Sequence, residues 1–133
     1  MIVVDASAWV TAFVDSSDAG VAARGALEAD QDWAVPGHAP LEVIRTLRRI
    51  EQAGQLSSER AGDLARRVAT RKVRYAAVTP ELTSWVWERR HSISVYDAPY
   101  VHLALQLRAP LITLDTGLAN AARPLGVTVV VPQ

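Results

Sequence analysis

The chain has 133 residues, half of them apolar, with fourteen basic and fourteen acidic side chains and no cysteine. Its length suits one domain over residues 1–133, and a mean hydropathy of +0.09 leaves some apolar surface for partners. Disulfides and thiolate metal sites are excluded, and a reducing cytoplasm is the expected compartment. No secretory leader is expected, because Asp5 cuts the opening apolar run short, and no apolar run reaches the length of a membrane span.

The opening IVVD (2–5) reads as a short buried strand. Ser7 can cap a helix over 8–14, and a second helix is expected near 19–30. WAVP (33–36) is the next apolar run. Pro40 opens a helix that runs to Gly54, a suitable stop. Residues 58–72 read as an arginine-rich helix and 73–78 as a strand. Thr79-Pro80 starts the helix of ELTSWVWERR, and another starts near Asp97, with Pro99 in its first turn. LITL (111–114) is a strand, 116–123 a short helix, and VTVVV (127–131) a last strand. Alternating helices and continuously apolar strands point to an α/β fold, a parallel sheet of about five strands with helices on both faces.

The zero net charge is unevenly spread. Residues 1–44 hold seven acids and one base, Arg24, whereas residues 45–74 hold nine bases and three acids. An anionic centre beside a phosphate-binding rim has this pattern, and so do two ordinary solvated helix faces.

Asp5 ends the first strand, Asp115 follows LITL, and Glu42 and Asp97 stand at helix starts. In an open α/β sheet all four places lie at the rim where strand carboxyl ends point. Crowded carboxylates raise one another's pKa unless a cation neutralises them, and an all-oxygen donor set suits Mg²⁺ or Mn²⁺. Singly, Asp5, Asp97 and Asp115 read equally well as helix caps, and Glu42 as a complement to a helix dipole.

In order along the chain, VVDASAWV, the isolated glutamate of LEVIRTLRR, YDAPYVHLAL and LITLDTGLA resemble the PIN-domain ribonucleases, above all the VapC-type toxins of toxin–antitoxin pairs. The resemblance implies a metal-dependent endoribonuclease. It makes Asp5, Asp97 and Asp115 metal ligands, and Glu42 a ligand directly or through water that also orients the attacking water. Ser7 and Thr113 would be supporting hydroxyls, and the products would carry 5′-phosphate and 3′-hydroxyl ends. Many relatives carry a further acid three residues past the last aspartate, where this chain has Leu118. The alternative is a catalytically weak PIN-shaped domain that binds RNA or a partner.

Other acid-centred α/β sites fit worse. A haloacid-dehalogenase-like phosphatase wants aspartate where Ser7 stands, and a receiver domain wants a lysine after a late strand, whereas Lys72 is the one lysine. Arg45 and Arg49 share the Glu42 side of their helix and are candidate RNA-phosphate contacts, or else form small intrahelical pairs. His38, His91 and His102 have no ligand spacing, and His102, about 140° around its helix from Asp97, is expected at the surface or an interface. Trp87, turned away from Leu82, Trp85 and Val86, is expected to be exposed or covered by a partner. The first helix is apolar on nearly all sides. By the resemblance, its second side would meet another copy of the chain, giving a homodimer, or a small antitoxin that blocks RNA cleavage. The alternative cover is the 19–30 helix.

Overall fold

The computed structural model describes residues 1–133. Five strands form one sheet in the order β3-β2-β1-β4-β5: β1 (Ile2–Val4), β2 (Trp33–Pro36), β3 (Arg74–Ala76), β4 (Leu111–Ile112) and β5 (Val129–Val130). All pairs are parallel, with Val3 opposite Ala34 on one side and opposite Leu111 on the other. The chain moves outward from β1 to β3, then returns to the far side of β1 for β4 and β5. Right-handed crossovers therefore put the helices of the two halves on opposite faces. The strand order reverses between β1 and β4, and a crevice opens outside the carboxyl ends of those strands.

Seven helices make the connections: α1 (Ala6–Val14), α2 (Asp18–Glu28), α3 (Ala39–Gln52), α4 (Ser58–Thr70), α5 (Pro80–Glu88), α6 (Ala98–Leu107) and α7 (Thr116–Ala122). All were expected from the sequence, within a residue or two at most ends. β2 has its expected length, and the other four strands are shorter than expected. β3 and β5 are edges that pair on one side only, and the side chains of Arg74 and Tyr75 are exposed.

Val3, Val4, Val35 and Leu111 of the inner strands are fully buried, as are Trp9, Val43, Leu64, Tyr100 and Leu118 from the helices. Trp9 meets Trp33 edge to face at 5.5 Å. α1 packs against α2 and α3, and the Arg24 guanidinium donates from α2 to the carbonyls of Ala12 and Asp15, each at 2.9 Å. α2 and α3 thus cover much of α1 within the chain, as the alternative reading expected, while Thr11, Phe13 and Val14 stay partly exposed. Gly20 makes the close approach possible, since a Cβ there would fall 1.7 Å from the Asp15 carbonyl oxygen.

His102 corrects a second expectation. It is buried, 8% exposed, with its ring 5.2 Å from that of Trp85. Its helix angle does carry it away from Asp97, but α5 lies over that side of α6. Trp87, by contrast, is 66% exposed, with the Arg90 guanidinium 4.1 Å above its ring.

Candidate active site

Asp5 leaves β1 at the crevice and takes the N-cap position of α1 in extended conformation, yet its side chain makes no cap bond. Its Oδ2 accepts instead from the hydroxyls of Ser7 and Thr113, the latter at 2.8 Å. Thr113 is fully buried beyond β4, and Ser7 Oγ also accepts from the Leu114 amide at 3.0 Å. Two hydroxyls thereby join the ends of β1 and β4 around one carboxylate, so the helix-cap reading of Asp5 does not hold.

Asp97 likewise precedes α6 without a side-chain cap bond. Asp115 does cap its helix, its Oδ1 accepting from the Leu118 amide at 3.1 Å, while its own amide donates to Thr113 Oγ1 at 3.0 Å. Glu42 stands in the first turn of α3. Its Oε1 accepts from the Tyr100 hydroxyl at 2.7 Å and lies 3.3 Å from His38 Nε2. The intrahelical pair considered for Glu42 and Arg45 does not form at ion-pair distance; Glu42 Oε1 meets His38 and Tyr100 instead.

Asp5, Ser7, Glu42, Arg45, Arg49, Asp97 and Asp115 line one cavity of about 420 Å³. The structure therefore brings together every carboxylate expected at the site, with both arginines on its wall. Thr113 sits behind Asp5 and supports it. Leu118 is fully buried and contributes no donor.

The electrostatics fit a crowded acidic pocket. Burial pushes the Asp5 carboxyl above its ordinary value, the Ser7 and Thr113 hydroxyls oppose this, and Glu42 and Asp97 add to it. Burial also raises Asp97, against a Ser94 hydrogen bond and with help from Asp115 and Glu42. Burial alone would raise Glu42 too, but hydrogen bonds from His38 and Tyr100 hold it below the usual carboxylate value. His38 is raised, first through its hydrogen bond to Glu42.

No three of these acids and histidines converge closely enough to enclose an ion as they stand. Their chemistry nevertheless suits a hard divalent cation. The donors are all carboxylate oxygens, and two of them, Asp5 and Asp97, repel neighbours whose charge a cation would offset.

Two residues of the site, His38 and Tyr100, were missed in the sequence. The signals were present. His38 precedes Glu42 by four positions and Tyr100 follows Asp97 by three, so both spacings put side chains on one helix side.

A strand-end aspartate thus stands at the sheet reversal, with three further acids at helix starts around it. A family model of the PIN domain matches residues 2–124, and the chain belongs to that family. Within it the chain is of the VapC type. Ribonuclease VapC9 of Mycobacterium tuberculosis is 35% identical over 136 residues, covering 100% of both chains. Ribonuclease VapC1 of the same organism is 35% identical over 124 residues, 90% of this chain and 89% of that one. Solved structures share the fold. M. tuberculosis VapC20, described as a sarcin–ricin-loop-cleaving toxin, superposes with a TM-score of 0.67 at 20% identity, over 91% of this chain and 95% of its own. FitAcB from Neisseria gonorrhoeae superposes at 0.70 with 17% identity, over 99% and 98%.

Proposed function

We infer that this protein is an endoribonuclease acting as the toxin of a toxin–antitoxin pair. The observation that carries the reading is the cavity itself: Asp5, Glu42, Asp97 and Asp115 line it together, with Arg45 and Arg49 beside them. The reading takes residues 1–133 as one catalytic domain in the cytoplasm. No helix is long and apolar enough to cross a membrane.

Asp5, Asp97 and Asp115 would hold Mg²⁺ or Mn²⁺. Such an ion, when bound, lowers the pKa of a bound water and offsets charge on a phosphate oxygen. The chain's own groups do the rest. Arg45 and Arg49, exposed on α3, bind backbone phosphates. Glu42, held ionised by its two donors, accepts a hydrogen bond from the attacking water and orients it. Ser7 and Thr113 fix the Asp5 carboxylate so that its second oxygen faces the cavity. The leaving group is the 3′-hydroxyl and the phosphate stays on the 5′ end.

A small cognate antitoxin and a homodimer belong to this reading. Docking on α1 would use the part that α2 and α3 leave open, Thr11, Phe13 and Val14. Sedimentation tests the dimer, and hydrogen exchange at residues 8–14 with antitoxin added tests docking there. Lack of protection would move the antitoxin to another surface.

One observation favours a second reading, a PIN-shaped domain that binds RNA or a partner with weak catalysis: the acids do not converge on an ion unaided. Structured RNA incubated with Mg²⁺ or Mn²⁺, against an EDTA control, separates the two. Metal-dependent internal cuts with 5′-phosphate ends support the nuclease. Retained RNA without cuts supports the binding domain.

A further inference from the structure

We propose that His38 and Tyr100 form a clamp that positions Glu42 and ties it to the segment carrying Asp97, leaving only Glu42 Oε2 to act in the cavity. The proposal rests on the nuclease reading for its effect on rate, and on the contacts alone for the clamp.

The Tyr100 hydroxyl donates to Glu42 Oε1 at 2.7 Å from within the first turns of α6. His38 Nε2 lies 3.3 Å from the same oxygen and 3.0 Å from the carbonyl oxygen of Tyr96. Both neighbours of Nε2 are acceptors, so that nitrogen carries a hydrogen; it is directed at the Tyr96 carbonyl, with Glu42 Oε1 held alongside at ion-pair distance. Tyr96 directly precedes Asp97. His38 therefore connects the start of α3, which bears Glu42, to the residue before the second carboxylate. Its ring packs 5.5 Å from the Tyr96 ring and 5.6 Å from that of Tyr100, which limits its rotation.

With Oε1 hydrogen-bonded to Tyr100 and paired with His38, Oε2 receives no hydrogen bond from the chain and is left to the cavity. Tyr100 is fully buried, and burial with the nearby carboxylates pushes its hydroxyl far up, so it remains a donor at any working pH. Neither residue touches reacting atoms in this arrangement. Both are positioning residues that act through Glu42.

The test uses Tyr100→Phe, His38→Ala, His38→Gln and Glu42→Gln in the full chain, with melting curves to verify folding. Cleavage of a structured RNA with Mn²⁺ is followed at varied RNA concentration. Tyr100→Phe and His38→Ala should each lower kcat by about 10–100-fold with KM unchanged, the range for loss of an orienting partner. His38→Gln, which keeps an N–H near the same place, should recover part of the loss. In a Glu42→Gln background, Tyr100→Phe should add less than about 2-fold, since residues acting through one group are not additive. Multiplying losses, or losses confined to KM, would overturn the proposal.

A second readout needs no catalysis. The ¹³C carboxyl signal of Glu42, assigned with Glu42→Gln in metal-free protein, should move in Tyr100→Phe and His38→Ala and move less in His38→Gln. An unmoved signal overturns the clamp even if RNA is cleaved. A moved signal in a protein that cuts no RNA supports the clamp and refutes the nuclease reading instead.

Discussion

Thr113→Val isolates the support of the central carboxylate. Valine matches threonine in shape, so no cavity opens, and the fully buried side chain loses its hydroxyl alone. Two strong hydrogen bonds go, the one donated to Asp5 Oδ2 at 2.8 Å and the one accepted from the Asp115 amide at 3.0 Å, along with a longer contact to Ser7 Oγ at 3.3 Å. A bond to a charged group contributes about 1.5–3 kcal/mol, and a part-buried amide left without a partner costs about 1 kcal/mol. The metal-free variant should therefore be about 2–4 kcal/mol less stable near neutral pH, or about 6–20 °C lower in Tm for a chain of this size. The deficit should depend on pH. Asp5 is already raised by burial, and losing a donor raises it further. A raised carboxyl contributes stability that is present below its unfolded value and lost as pH rises through its folded value. The variant gains more of that stability in acid than the parent does. Its deficit should shrink as pH falls through the raised Asp5 range, leaving the smaller loss at the Asp115 amide. Urea unfolding of both proteins, metal-free, from about pH 8 down to about pH 4 brackets the carboxyl range. A deficit that stays constant or grows toward acid would refute the assignment of Thr113 to an ionised Asp5.

Asp5→Asn should abolish cleavage, by about 10³-fold or more if a few kcal/mol of charge stabilisation is lost. Without metal it should melt at the same or a higher temperature, because it removes a buried charge near Glu42 and Asp97. At 100 times its dissociation constant Mn²⁺ should stabilise the parent by about 2.7 kcal/mol, and the variant far less; parental cleavage by Asp5→Asn would remove Asp5 from the site. Neutralising Arg45 and Arg49 together should weaken RNA binding and flatten the log–log salt dependence by roughly 1.4–1.8. An unchanged slope would move the RNA to other arginines, such as Arg60, Arg67 and Arg71, which line a separate cavity of about 720 Å³. Gly20→Ala should destabilise by about 2–4 kcal/mol through overpacking, because its Cβ meets backbone rather than a movable side chain; an unchanged urea midpoint would mean that α1 and α2 part without cost.

The helix order was legible because start and stop signals are local. Pro40 and Gly54 bracket α3, and Thr79-Pro80 opens α5 with the Thr79 hydroxyl accepting from the Leu82 amide at 3.1 Å. Strand ends were less legible, since pairing partners decide where a ladder stops, and 127–131 reads apolar well beyond the two residues that pair. The four acids were legible from the place each takes in its element. His102 was not, because helix angle states what a residue faces away from and not which neighbour lies there. α1 was open for the same reason: a helix apolar on all sides needs cover, and its sequence does not say how much of it α2 or another molecule supplies. His38 and Tyr100 were overlooked by asking only whether each histidine could bind metal, when the informative relation was four residues to Glu42.

Each acid at the site is held by different chemistry, and that difference suits the roles proposed for them. Asp115 spends one oxygen on its helix and Asp5 gives one to two hydroxyls, so each offers a single free oxygen from a fixed position. Glu42 is kept ionised by Tyr100 and His38, as suits a group that must accept a hydrogen bond. Asp97 is raised by burial and by Asp115 and Glu42, against a Ser94 hydrogen bond and the His38 charge. The cost falls on the metal-free protein, which keeps four acids around one cavity. What holds them there is the reversal of strand order between β1 and β4, because only at that crevice can a strand-end aspartate, a second strand's loop and two helix starts face one space.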